Sequence, residues 1–403
     1  MIAQTPVEIT DPEVAALAAK YDVYEVHKAL AARNIATSYP LAKYPEYLPS
    51  TEHGSNPGYH GEFDHVEPGT RADPAMPNLK GLPEYTEEYI TPRLGSIIKG
   101  VQLSKLTPAG LDELALLATQ RGVLAFHDQD LKDQGIEKFK EFGNHFGPLH
   151  RHPTQSCIKG HNDLTIIYEG PEPGADKLRK ELGHGSKNTY VQWHTDQCHE
   201  PQPPAVSMLV AMEVPSTGGG DTLFCSATRA YDTLSPDMQR FVCTLWSENS
   251  SKLISDSSAK IGGPVRRAPV PIAHPVVRVH PTTGQRVLSP SSLGGIKPEA
   301  DPSYQALFHN PHFSTDRIHN LKEQENIAIG NFLKNHIENS QDFQCRVRWA
   351  EGAVVVYDQR VVFHSATHDY EPGDRRHLLR ITPLGGRPIP TPEAGERPEL
   401  LAR

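Results

Sequence analysis

Ala353-Val354-Val355-Val356-Tyr357, continuing as Asp358-Gln359-Arg360-Val361-Val362-Phe363-His364, is the stretch on which the fold turns. A short apolar run rich in β-branched residues reads as a strand buried on both faces, suited to the middle of a barrel wall. His364 follows it, where a loop-borne side chain reaches a barrel mouth. Downstream, Arg376 and Arg380 sit four apart, a spacing that puts both on one face of a strand and both guanidiniums into one cavity. Two inward cations require anions. Upstream, Trp193-His194-Thr195-Asp196 places an imidazole and a carboxylate two residues apart, again on one strand face. Such a pair is two thirds of the 2-His-1-carboxylate set that holds Fe(II) and leaves positions open for other ligands. His364 is the candidate third member, with His150 and His368 as rivals. A lone His-x-Asp is common, and His161-Asn162-Asp163 is a decoy.

Around this stretch the chain reads as short strands separated by Gly/Pro turns, with helices gathered on one side. Gly95–Leu103 alternates as a strand, and Gly122–Phe126 is a short apolar one. Thr107-Pro108 caps a helix with Leu111, Leu114 and Leu117 inward. Ile136, Phe139, Phe142 and Phe146 mark a second helix, stopped by Gly147-Pro148. Ala205–Glu213 is a buried strand. Pro-Thr-Thr-Gly between His274–His280 and Gln285–Leu288 signals a hairpin. Ile329 to Ile337 is helical, and strands at 343–349, 353–357 and 376–383 close the fold. This pattern predicts a mainly β protein with flanking helices, an antiparallel double-stranded β-helix of jelly-roll type. A dinucleotide-binding βαβ fold is disfavoured, since no Gly-x-Gly-x-x-Gly occurs. The expected organisation is a helical and irregular arm over 1–89, a jelly-roll domain over 90–390 and a tail over 391–403. The polar Ser/Gly-rich stretch 246–270 is a candidate lid or surface loop.

The chain has 403 residues and a net charge of −9, which disfavours bulk nucleic-acid binding. No apolar run approaches the roughly 18 residues of a membrane span, and the first eleven residues lack the pattern of a secretory signal. Five scattered cysteines without Cys-x-x-Cys spacing point to reduced thiols and a cytoplasmic location. Whether the chain forms a homo-oligomer is left open.

Taken together, the motifs resemble the taurine dioxygenase (TauD/TfdA) family of Fe(II)/2-oxoglutarate-dependent dioxygenases, especially its longer eukaryotic members. The resemblance runs from about Leu94 to Pro388 and rests on four motifs in order. These are Trp193-His194-Thr195-Asp196, Gly219-Gly220-Asp221-Thr222, Asp358-Gln359-Arg360 through His364, and Arg376 with Arg380. It implies that His194, Asp196 and His364 bind iron, and that Thr222 and Arg376 hold the far carboxylate of 2-oxoglutarate. Arg380 is implied beside the near carboxylate and the substrate's anionic group, and His152 matches the substrate-contacting His. The implied reaction uses O2 to oxidise an unactivated C–H bond of a small anionic substrate, releasing succinate and CO2.

The substrate wall departs from the taurine enzymes. Tyr190 replaces their Asn three residues before the Trp, His199 their aromatic after the His-x-Asp, and Gln155 their Tyr after the His-Pro. An organosulfonate, amino acid or carboxylic acid fits this reading better than taurine itself. Two other classes compete. A non-catalytic barrel that binds metal or ligand would consume no oxygen, and a zinc hydrolase would have no use for the paired arginines or for Gly-Gly-Asp-Thr.

Overall fold

The Val-rich strand is buried along its whole length, and its two faces serve two different cores. In this computed structural model, which describes residues 10–20, 22–35, 41–52, 61–172, 193–260, 262–288, 315–371 and 373–400, eight strands frame the site. They are β1 (Val123–Phe126), β2 (His161–Glu169), β3 (Val206–Glu213), β4 (Thr222–Ser226), β5 (Gln344–Val347), β6 (Val354–Asp358), β7 (Val362–Ala366) and β8 (Arg376–Ile381). The large sheet runs β2-β8-β3-β6-β1 and is extended by short strands at both edges; the small sheet runs β5-β4-β7. All pairs among these eight are antiparallel. Val355 lies opposite Leu209 on β3 and opposite Ala125 on β1.

Alternation decides which side each residue serves. Val354, Val356, Met208, Val210, Leu379 and Ile381 pack outward against the helices. Val355, Tyr357, Leu209, Ala211 and Leu378 face inward, onto Phe224 and Phe363 of the small sheet. By the same period Arg376 and Arg380 share the inner face with Leu378.

The outer layer is built by α1 (Pro108–Arg121) and α2 (Ile136–Asn144). The Thr107 side chain caps α1 by accepting from the Gly110 N–H at 3.2 Å, a contact worth about 1 kcal/mol. Leu111, Leu114 and Leu117 are buried beneath it, as their spacing requires. Phe139 and Phe142 do the same for α2. Tyr47, Leu48, Met76 and Leu79, from the irregular stretch before residue 90, lie in the same apolar cluster. Glu113 of α1 accepts from the Leu79 N–H at 2.7 Å.

Two segments differ from their sequence reading. The strand expected over Gly95–Leu103 is shorter, Ser96–Lys99, and ends in a 3-10 turn at Leu103–Lys105. Residues 246–260 are largely regular: Trp246–Asn249 is the central strand of a small sheet and Lys252–Lys260 is a helix. Backbone carbonyls take up the polar groups of the buried strand. Ser247 Oγ donates to the His274 carbonyl at 3.1 Å, and Asn249 Nδ2 donates to the Ser247 carbonyl at 3.1 Å. Among the described residues no helix is long and apolar enough to cross a membrane.

Candidate active site

The turn after β6 is fixed by a buried ionic network. The Asp358 carboxylate accepts from the Arg360 N–H at 2.9 Å, and from Arg360 Nε and Nη2 at 2.9 and 2.8 Å. Thr119 of α1 donates to it at 2.8 Å, and His280 Nε2 lies 3.0 Å away. Arg360 Nη1 is 2.5 Å from Glu67. Burial alone would raise the Asp358 carboxyl, but Arg360 and His280 outweigh it and hold the group well below the usual carboxylate range. Glu67 follows the same pattern: burial raises it, Arg360 and His65 prevail, and it settles at about 2.

Between these two anchors, Gln359 points the other way. Its Oε1 accepts the Asp196 N–H at 2.7 Å and its Nε2 donates to Ser207 Oγ at 2.7 Å. Asp358 and Arg360 therefore set the turn, and Gln359 transmits its position to Asp196.

His364 is carried on strand β7 and not on a loop, which corrects the sequence expectation. Val361, Val362 and Phe363 are strong strand formers, and the tight turn at Asp358 reverses the chain before them. His194 and His364 form an isolated antiparallel bridge. Each exchanges an N–H···O=C bond with the other, at 3.0 and 2.8 Å. The bridge brings the two rings to a centroid separation of 4.3 Å. After His194 the chain turns through Gln197 at φ +57°, and the Asp196 side chain joins the rings. Asp196 Oδ1 is 4.0 Å from His194 Nε2, and Oδ2 is 3.7 Å from His364 Nε2. One donor atom from each residue lies within 4.8 Å of the others, with Asp196 and His364 buried and His194 partly open. Two imidazole nitrogens and one carboxylate oxygen converging on a vertex suit a divalent first-row metal such as Fe(II). The Tyr357 hydroxyl donates to Asp196 Oδ2 at 3.5 Å from the strand behind it.

Thr222 stands on β4 beside β7, and both arginines stand on β8. Arg376 Nε donates to the Gly220 carbonyl at 2.9 Å. Gly220 has φ +66°, and a Cβ there would stand 2.8 Å from Arg376 Cδ. That position admits only glycine without displacing the arginine. Thr222 Oγ1 accepts the Trp349 indole N–H at 3.2 Å, which leaves its own hydrogen to donate. Arg380 Nη1 donates to Asp196 Oδ1 at 2.6 Å and Nη2 to Gln155 Oε1.

Of the residues expected on the substrate wall, His152 and His199 are buried and Gln155 is half-buried, while Tyr190 lies outside the described residues. His152 Nδ1 accepts the Thr154 and Gln155 N–H groups at 3.0 and 2.9 Å. A nitrogen that accepts carries no proton, so Nε2 is the donor of this ring. His199 is buried beside Glu200, 3.4 Å from its Oε1. Burial, with Arg267 adding to it, lowers His199 to about 3. His274 is likewise lowered to about 3, by burial first and Arg278 next.

An unfolded His takes up a proton below 6.5, whereas these two stay neutral until far lower pH. Stability is therefore expected to fall as pH drops below 6.5, by about 1.4 kcal/mol per unit for each ring. Urea midpoints at pH 7 and 5.5 check this; equal midpoints would contradict it.

The rival ligands sit elsewhere. His368 lies 3.6 Å from Glu169. His150 contacts Glu200 at 2.8 Å, in a second cluster with His199. There Arg267 ion-pairs with Glu200, placing a cation where a metal would otherwise go. Sequence reading missed Gln359, Tyr357, Trp349, Glu200 and Arg267 as parts of the site. The motif Asp-x-Arg drew the eye past its middle residue. Arg266-Arg267, in the stretch read as polar loop, is buried: Arg266 donates to the His152 and Gln155 carbonyls at 3.1 and 2.8 Å.

Residues 86–382 match the profile described as taurine catabolism dioxygenase TauD, TfdA family. The chain is similar to the alpha-ketoglutarate-dependent dioxygenase cnsP of Penicillium expansum, 41% identical over 351 residues, covering 86% of this chain and 88% of that one. It is 37% identical over 351 residues to the alpha-ketoglutarate-dependent sulfonate dioxygenase of Saccharomyces cerevisiae, covering 86% and 79%. Among solved structures, a taurine dioxygenase from Burkholderia xenovorans superposes with a TM-score of 0.58 at 25% identity, covering 78% of this chain and 94% of that one.

Proposed function

The chain belongs to the taurine catabolism dioxygenase TauD, TfdA family, and from that membership we propose how its residues divide the work of an Fe(II)- and 2-oxoglutarate-dependent dioxygenase. The non-catalytic barrel and the zinc hydrolase fall away as readings. When bound, iron with 2-oxoglutarate and O2 supplies the oxidising power that breaks an unactivated C–H bond, with release of succinate and CO2.

His194, Asp196 and His364 hold the metal. The single observation that carries this assignment is the two-bond backbone bridge between His194 and His364, with Asp196 closing the set. Arg376 and Thr222 bind the far carboxylate of 2-oxoglutarate, one as a cation and one as a hydroxyl donor. Arg380 stands beside the near carboxylate and the substrate's anionic group. His152 Nε2, Gln155, His199 and Tyr190 shape the substrate wall, and the buried apolar lining from Leu209, Phe224 and Leu378 keeps water away from the reacting carbon.

The substrate is a small anion, an organosulfonate or an amino or carboxylic acid. The sulfonate dioxygenase relative and the inward arginines favour the sulfonate class. A panel of sulfonates, amino acids and carboxylic acids, scored for substrate-stimulated succinate release, tests it. Stimulation by neutral compounds alone would refute the anionic reading.

Arg376→Ala is expected to raise the KM for 2-oxoglutarate by roughly 30-fold or more, since losing a charge-assisted pair in a closed site costs about 2–3 kcal/mol. The KM for the primary substrate should move far less. Succinate assays over a 2-oxoglutarate titration measure both, and an unchanged requirement assigns the carboxylate to another group.

A further inference from the structure

On the far side of the Gln359 turn lies a small cavity lined by Arg278, Arg360, Arg387, Glu67 and His280 among apolar neighbours. Arg278 projects into it from the Val277–Val279 strand and is only 7% exposed. Of its five N–H donors, Nη2 reaches the Gln359 carbonyl at 3.2 Å, and Nε has no hydrogen-bond partner. Among the described residues Arg278 enters no ion pair. The carboxylates nearby are already engaged. Asp358 receives Arg360, His280 and Thr119. Glu67 receives Arg360 at 2.5 Å and the Gly386 N–H at 3.2 Å. Burial, with the Arg360 charge beside it, lowers the Arg278 guanidinium to about 10, so it remains a cation at neutral pH. A buried cation with unsatisfied donors is costly unless something neutralises it.

Arg387, paired with Glu62, also lines the cavity, and Arg397 lies beside that pair. Among the described residues named here, four guanidiniums (Arg278, Arg360, Arg387, Arg397) stand against three carboxylates (Glu62, Glu67, Asp358). The cavity is small, about 10 Å³, room for one small occupant. We propose that this cavity binds one inorganic anion of chloride size against Arg278. The anion completes the donors of Arg278 and holds that side chain to the Gln359 carbonyl. It thereby steadies the turn whose Gln359 side chain accepts the Asp196 N–H. Its lining shares no residue with the His194 cluster, Thr222, Arg376 or Arg380, so this site is separate from that of 2-oxoglutarate or the primary substrate.

The test compares thermal unfolding of the full chain in chloride and in gluconate, which is too large to enter, at matched ionic strength. Chloride is expected to raise Tm saturably, by roughly 2 °C or more, and Arg278→Met to remove that dependence. Equal Tm values in the two salts, or a chloride response retained in Arg278→Met, would overturn the proposal. Should the variant fail to fold, wild-type crystals soaked in bromide decide: an anomalous peak against Arg278 supports the site, and its absence refutes it. None of these readouts depends on turnover, so they stand or fall apart from the dioxygenase assignment.

Discussion

Replacing His364 with alanine is expected to abolish substrate-stimulated succinate formation, by at least about a thousandfold, or roughly 4 kcal/mol of transition-state stabilisation. Bound iron per chain should fall with it. The reason is geometric. Asp196 Oδ2 stands 3.7 Å from His364 Nε2 and Oδ1 4.0 Å from His194 Nε2, so removing one ring leaves two donors and no closed face. The change should leave the fold intact. The bridge to His194 is made by backbone atoms, which alanine retains. His368→Ala serves as the control: it sits 26% exposed beside Glu169 and should keep full activity and iron content. Loss of activity in His368→Ala with retention in His364→Ala would invert the assignment.

The second large effect is on stability. Asp358→Ala is expected to destabilise the protein by about 3–5 kcal/mol, because it strips a fully buried ionic network of its central anion. Arg360 would keep Glu67 and Thr119 the Ala115 carbonyl, while His280 Nε2 would lose the carboxylate. Asp358→Asn keeps the shape and should cost less. Denaturant unfolding measures both, and near-wild-type stability in Asp358→Ala would show that the network is dispensable. The pH dependence follows the same carboxylates. Glu67 is held at about 2 and Asp358 well below its ordinary value, so their contribution is complete above pH ~4.5. It is lost as pH falls towards those lowered values. Acid unfolding should therefore begin with the buried histidines near pH 6.5 and steepen once these carboxylates protonate.

Asp358 also marks the limit of what could be read in advance. The motif Asp358-Gln359-Arg360 was visible, but its division of labour was not. Asp358 and Arg360 anchor the turn to Glu67, His280 and Thr119, residues distant in the chain. Gln359 reaches Asp196 across 163 positions. The stretch 246–270 misled for a related reason. Serines and arginines read as solvent-facing by type, yet Ser247, Arg266 and Arg267 are buried here against backbone carbonyls and Glu200.

By itself the sequence determined the strand alternation, the helix caps and the chemical kinds of ligand. Each of these is local: a period of two, a Thr before Pro, a His two residues from an Asp. Only the tertiary structure decided that His364 rides a strand and pairs backbone to backbone with His194. It also decided that Arg380 turns towards Asp196 and Gln155, and that Arg278 is left buried with donors to spare. Those outcomes depend on which segments meet, and contacts between residues 81 to 225 positions apart leave no periodic trace along the chain.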